Sequence, residues 1–164
     1  MTFRPRSTSA HFAPTLPLLL AGMLLAGGAY ATEAEHIRVG QPWIRVLPGD
    51  LPAGAYVTLE NTSDQPASLR GASSTAYASV MLHKSSTEGG MGRMTSVDSL
   101  AIPAHGKAEL SPGGYHLMLM KAAAAVKPGD KVKLTLSFGD GSKLDTDFLA
   151  RPANATDVGD SHSH

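Results

Sequence analysis

Tyr115-His116-Leu117-Met118-Leu119-Met120 (residues 115–120) alternates without a break. Successive side chains of a β-strand point to opposite faces. The stretch therefore reads as a strand with Tyr115, Leu117 and Leu119 on one face and His116, Met118 and Met120 on the other. The leucines suit a core. The opposite face carries an imidazole beside one or two thioethers, which places two metal-type donors at i and i+2.

Outward from this strand the chain keeps the same character. Residues 37–46, 55–59, 77–83, 92–100, 132–138 and 144–149 alternate or run apolar. Turn residues separate them: Pro48-Gly49-Asp50, Asn61-Thr62-Ser63-Asp64, Glu88-Gly89-Gly90, Pro112-Gly113-Gly114, Pro128-Gly129-Asp130 and Gly139-Asp140-Gly141. Seven or eight short strands at this spacing predict a single all-β domain, a β-sandwich or small Greek-key barrel. Only Lys121–Val126 (KAAAAV) has helical character, and it is too short to stand alone.

The two ends read differently. Arg4 and Arg6, the apolar stretch from Leu16 to Ala26, and Ala29-Tyr30-Ala31 follow one another in the order of a secretory signal peptide, giving residues 1–31. An uncleaved anchor is the alternative, but the apolar run is short for a bilayer. Cleavage after Ala31 leaves 12 basic residues against 14 acidic ones. The domain is then expected over residues 32–150 in an exported, periplasmic protein with no membrane span. A flexible polar tail is expected over 151–164, ending in Asp160-Ser161-His162-Ser163-His164. Net charge is zero and only 5% of residues are aromatic, so neither a basic stripe nor a base-stacking platform points to nucleic acid.

The sequence contains no cysteine. Disulfides, thiolate metal sites and a cysteine nucleophile are thereby excluded. The five methionines beyond residue 31 all fall between Met81 and Met120, and His83 and His116 lie in the same window. Core filling is the ordinary use of methionine. The arrangement argues otherwise for the group. Lys84–Gly90 reads as a hairpin connection. A turn centred near Glu88-Gly89 sets His83 directly across from Met94, and a turn one residue later sets them a diagonal step apart. Two hairpins thus supply two His–Met pairs. Neutral thioethers and imidazoles suit Cu(I), whereas Zn²⁺ takes thiolate, imidazole and carboxylate. Thioethers also form no disulfide in an oxidising compartment.

The spacing His83-x10-Met94-x21-His116-x-Met118 resembles the motif of the periplasmic copper chaperones called PCuAC. Trp43-Ile44-Arg45, Gly54-Ala55-Tyr56 and Pro112-Gly113-Gly114-Tyr115-His116-Leu117-Met118 resemble further marks of that family, over about residues 37–150. The resemblance implies a cupredoxin-like Greek-key β-sandwich, with one Cu(I) on His83, Met94, His116 and Met118 and no catalysis. It also implies delivery of copper to the CuA centre in subunit II of cytochrome c oxidase, together with a Sco-type protein. Some members carry a His- or Met-rich tail for a second copper, and this tail offers only His162 and His164.

Other residues read more plainly. Met91 is expected to pack, facing away from Met94. Met81 and Met120 are expected to line the site without binding. His36 and His105 read as solvated, and Trp43 as core or edge packing. Copper storage or resistance, a structural β-sandwich and a copper enzyme are the competing functions. No Ser/His/Asp set or carboxylate pair supports a hydrolase.

Overall fold

The computed structural model describes Thr2 and residues 31–156. The signal-peptide reading of residues 1–31, Thr2 and Ala31 aside, and the histidines of the tail, His162 and His164, lie outside the described residues. Among the described residues, ten strands follow a short 3-10 turn at Glu33–His36. They are β1 Ile37–Arg45, β2 Ala53–Asn61, β3 Ala67–Ser73, β4 Tyr77–Glu88, β5 Met91–Ser96, β6 Leu100–Ile102, β7 Lys107–Leu110, β8 Tyr115–Ala122, β9 Lys131–Phe138 and β10 Lys143–Arg151. Their hydrogen-bonded order is β5-β4-β8-β7-β2-β1-β10-β9-β3-β6, and β8 also pairs with β2. A twisted sheet of this width curls over. Here β3 comes to lie against β4, and β6 against β7 and β2, so the sheet encloses one core between two layers.

The core follows from alternation. Leu82 of β4, Ala55, Val57 and Leu59 of β2, Leu117 and Leu119 of β8, and Leu134 and Leu136 of β9 all turn inward. Leu117 lies between Leu82 on β4 and Ala55 on β2. Asn61, the one buried side-chain amide among the described residues, is fully paired. Its Nδ2 donates to the Gln65 and Ile102 carbonyls, and its Oδ1 accepts from the Ser63 amide and hydroxyl. Such pairing offsets the cost of burying it.

The all-β sandwich expected from strand spacing is what forms, with differences in detail. β3 and β7 were not legible: Ala67–Ser73 is rich in small residues and interrupted by Gly71, and Lys107–Leu110 is four residues long. The expected strand over 92–100 divides into β5 and β6. Lys84–Glu88 is strand, not connection, and only Gly89-Gly90 makes the turn, with φ of 59° and 80°. Positive φ at both positions is what a two-residue type I′ turn requires and what glycine permits. Lys121–Val126 forms no helix. β8 runs on to Ala122 and the alanines lie exposed, because one isolated turn cannot repay nucleation.

A bulge in β1 decides which face Trp43 takes. Gly40 pairs with Thr58 but Trp43 pairs with Tyr56, so β1 holds one extra residue at Gln41, whose φ is 49°. Before the bulge Ile37 and Val39 pack on the core. After it Ile44 does, and Trp43 faces outward. One inserted residue exchanges the faces of everything beyond it.

Candidate metal centre

His83 and His116 are direct cross-strand partners on β4 and β8. Both point to the outer face, because Leu82 and Leu117 beside them take the core. The ring centroids are 5.9 Å apart and the planes meet at 77°. Two residues along, Met81 pairs with Met118, and two further on Ser79 pairs with Met120. On the other side of the histidines the edge strand β5 brings Met94 opposite Ser85, a diagonal step from His83 and on the same face. The direct pairing of His83 with Met94 does not occur; the diagonal arrangement does, because the turn is centred on Gly89-Gly90. His83, Met94, His116 and Met118 thus share one face of three adjacent strands. The histidines lie at one level, with Met94 a step to one side and Met118 a step to the other.

The electrostatics of the two rings differ. His116 is 6% exposed, and its Nδ1 lies 3.2 Å from the Gly114 carbonyl. A carbonyl only accepts, so Nδ1 carries the proton and Nε2 keeps its lone pair for a cation. The turn that holds Gly114 is itself fixed, with the Gly114 carbonyl also accepting from the Ser85 amide at 3.0 Å. His83 Nδ1 is buried and has no hydrogen-bond partner among the described residues. Burial, and after it the nearby His116, hold the His83 imidazole below its ordinary value of 6.5. A buried, unpaired and easily deprotonated nitrogen beside a second imidazole fits a cation ligand.

The donor set selects the cation class. No group of three His, Asp or Glu side chains able to hold a metal occurs among the described residues, and the sequence has no cysteine. What converges is two imidazoles and several thioethers, which suits a soft, singly charged ion such as Cu(I).

The flank toward β2 is closed. Gly54 pairs with Met118 and offers it no side chain. The Tyr56 ring fills that space, for a Cβ on Gly54 would stand 2.7 Å from the Tyr56 hydroxyl. Tyr56 lies 6.5 Å from His116 and 4.6 Å from Trp43, centroid to centroid. The guanidiniums of Arg45 and Arg151 stand over Trp43 at 5.4 and 5.2 Å. Arg45 also donates to the Ala155 carbonyl, and Ala155 is buried against Trp43 and Tyr56. Of the stretch expected as a tail, Arg151 therefore closes β10 and Ala155 is tied onto this outer cluster.

Some residues fall elsewhere than expected. Met91 pairs with Glu88, faces away from Met94 and is 66% exposed, so it does not pack: at the hairpin tip nothing lies over it. Trp43 is buried, yet in a small cluster outside the main core. His105, by contrast, is exposed as expected, and pairs with Asp64 at 2.6 Å, away from the site. Met81 shares the face of His83, as expected, and stands directly opposite Met118. Its place opposite Met118 depends on a strand register that spacing along the chain does not reveal.

A family model described as LpqE-like matches residues 37–149. A protein of Leifsonia xyli subsp. xyli, named as a lipoprotein, is 35% identical over 111 residues, 67% of this chain. The chain spans 66% and 60% of the length of two curated relatives it matches. Among solved structures, the Cu(I) form of DR1885 from Deinococcus radiodurans is 35% identical with a TM-score of 0.58, covering 76% of this chain and 83% of that one. Its apo form covers 91% and 97% at 31% identity and a TM-score of 0.57. The copper-bound PCuAC domain from PmoF2 covers 75% and 97% at 25% identity, with a TM-score of 0.61. No helix among the described residues is long and apolar enough to cross a membrane.

Proposed function

The chain belongs to the LpqE-like family and has the cupredoxin-like fold of PCuAC domains, and from that premise we propose that it is an exported copper chaperone. It holds one Cu(I) on His83, Met94, His116 and Met118 in the periplasm and passes it to the CuA domain of cytochrome c oxidase subunit II, with a Sco-type protein as a further partner. The observation that carries this reading is the His83–His116 cross-strand pair with thioethers on the same face at either side. Similarity to copper-bound PCuAC domains supports the ion, and the lipoprotein name of a relative supports export. No enzymatic step is required of the site.

The geometry suits a carrier. His116 is preset by the Gly114 carbonyl, so its Nε2 meets the ion without reorganisation. Met94 rides on an edge strand and is 53% exposed. It is the donor that a partner reaches first and displaces first. A neutral thioether leaves the ion without taking up a proton, so the ligands exchange one at a time.

The test is a deletion strain grown across a copper series. Oxidase activity should fall when copper is scarce and return when copper is added. Normal oxidase at low copper, in a strain with no redundant copper supply, together with poor growth at high copper would replace delivery by resistance or storage.

A further inference from the structure

The outer face carries more soft donors than one ion uses. Below the imidazole pair, Met81 stands directly opposite Met118, and Met120 follows Met118 on the same face of β8. Side chains directly opposite in an antiparallel pair have Cβ atoms about 5 Å apart, and diagonal neighbours are about 7–8 Å apart. A methionine side chain spans the remainder. Met81 is 37% exposed and Met118 and Met120 are half-buried, so none of the three is consumed by the core. An ordinary outer face of a β-sandwich alternates polar residues with the core leucines. Here three thioethers occupy neighbouring positions, beside Gly54, which adds no side chain of its own.

We propose that Met81 and Met120 form a second Cu(I) seat made only of thioethers, with Met118 as the donor shared with the imidazole seat. The inference rests on the copper-carrier reading above and adds a route to it. An ion held by His83, Met94, His116 and Met118 reaches the second seat by taking up Met81 and Met120 as it gives up Met94 and the two imidazoles one at a time, with Met118 attached throughout. No electron or proton changes place in that step. The seat has no imidazole and fewer donors, so it binds more weakly than the first and fills second.

The experiment titrates the purified protein with Cu(I) under reducing conditions, and separately with Ag(I), an air-stable ion of the same charge and softness. Native mass spectrometry gives the number of ions bound, and NMR of ¹³C-methyl methionine shows which thioethers respond. Two ions are expected on the natural protein, the second roughly tenfold or more weaker than the first. The first should move the Met94 and Met118 methyls, and the second those of Met81 and Met120. The double variant Met81→Leu, Met120→Leu keeps side-chain volume and should take up one ion with unchanged first affinity. Thermal unfolding of its apo form reports whether it folds. A His162→Ala, His164→Ala variant should still bind two.

A natural protein that binds one ion at excess metal overturns the second seat and leaves the first in place. So does a second ion that persists in the Met81→Leu, Met120→Leu variant, or one that vanishes with His162 and His164. A protein that binds no ion, or whose first ion is indifferent to removal of His83 and His116, overturns the carrier reading itself.

Discussion

Replacing neighbouring residues of β8 separates the two faces of the sandwich by about a factor of three in stability. Leu117 is fully buried and flanked by Leu82 and Ala55, on strands hydrogen-bonded to both sides of β8. The backbone cannot move inward to fill the void left by Leu117→Ala. The cost should lie in the upper part of the usual range, about 3–5 kcal/mol. For a domain of this size each kcal/mol lowers the melting temperature by roughly 3–5 °C, so the apo protein should melt about 9–25 °C earlier. Met118 is half-buried on the outer face, with Met81 on one side and the bare Gly54 on the other. Met118→Ala loses only part of a buried side chain, about 1–1.5 kcal/mol. Calorimetry of the apo variants gives the stability difference. Competition with a Cu(I) chelator, run well below both melting points, gives the affinity. Met118→Ala should lose at least about tenfold in Cu(I) affinity, or 1.4 kcal/mol. Leu117→Ala, once folded, should bind nearly as the natural protein does. An apo Met118→Ala that melts as early as Leu117→Ala would refute the assignment of faces, and so would a Leu117→Ala that folds but no longer binds copper.

Three further outcomes are expected. In competition, Cu(I) should displace Zn²⁺ from the site, because no carboxylate or thiolate joins the two imidazoles; equal retention of Zn²⁺ would show that the thioethers take no part. The His83 imidazole is held below 6.5, first by burial and then by His116. Its contribution to apo stability is therefore complete above about pH 6.5 and is lost as the pH falls through the lower folded value. Thermal unfolding between pH 8 and 5 should decline more steeply for the natural protein than for His83→Gln, and parallel curves would contradict this. Asn61→Ala leaves the Gln65 and Ile102 carbonyls and the Ser63 amide without their partner. It should cost about 2–4 kcal/mol in denaturant unfolding without altering copper affinity, since Asn61 lies at the far end of β2 from Gly54.

Much of β8 was legible because its period-two pattern is local. Leu117 and Leu119 had to be inside and His116, Met118 and Met120 outside, whatever the strand paired with. Strands such as β9 and β10 were legible for the same reason. β3 and β7 were not. Small residues, a glycine and a length of four leave no periodicity to read, and these strands exist because neighbours offer them backbone partners. The turn at Gly89-Gly90 shows the limit most sharply. The residues announced a hairpin, but a shift of one residue in its centre decides whether Met94 stands opposite His83 or beside it.

Composition and local alternation were enough to read the class of donors this chain offers. Absence of cysteine, methionines gathered into one window, and histidines set two residues or one hairpin away from them establish a soft donor set on a β-scaffold, since composition and local alternation need no knowledge of distant contacts. Which donors meet depends on contacts between segments far apart in the chain. The His83–His116 pair, the Met81–Met118 pair, the outward turn of Trp43 beyond the Gln41 bulge and the placing of Ala155 beside it all depend on strand register. Register is set by backbone hydrogen bonds and core packing between segments far apart in the chain, and no stretch of residues carries it alone.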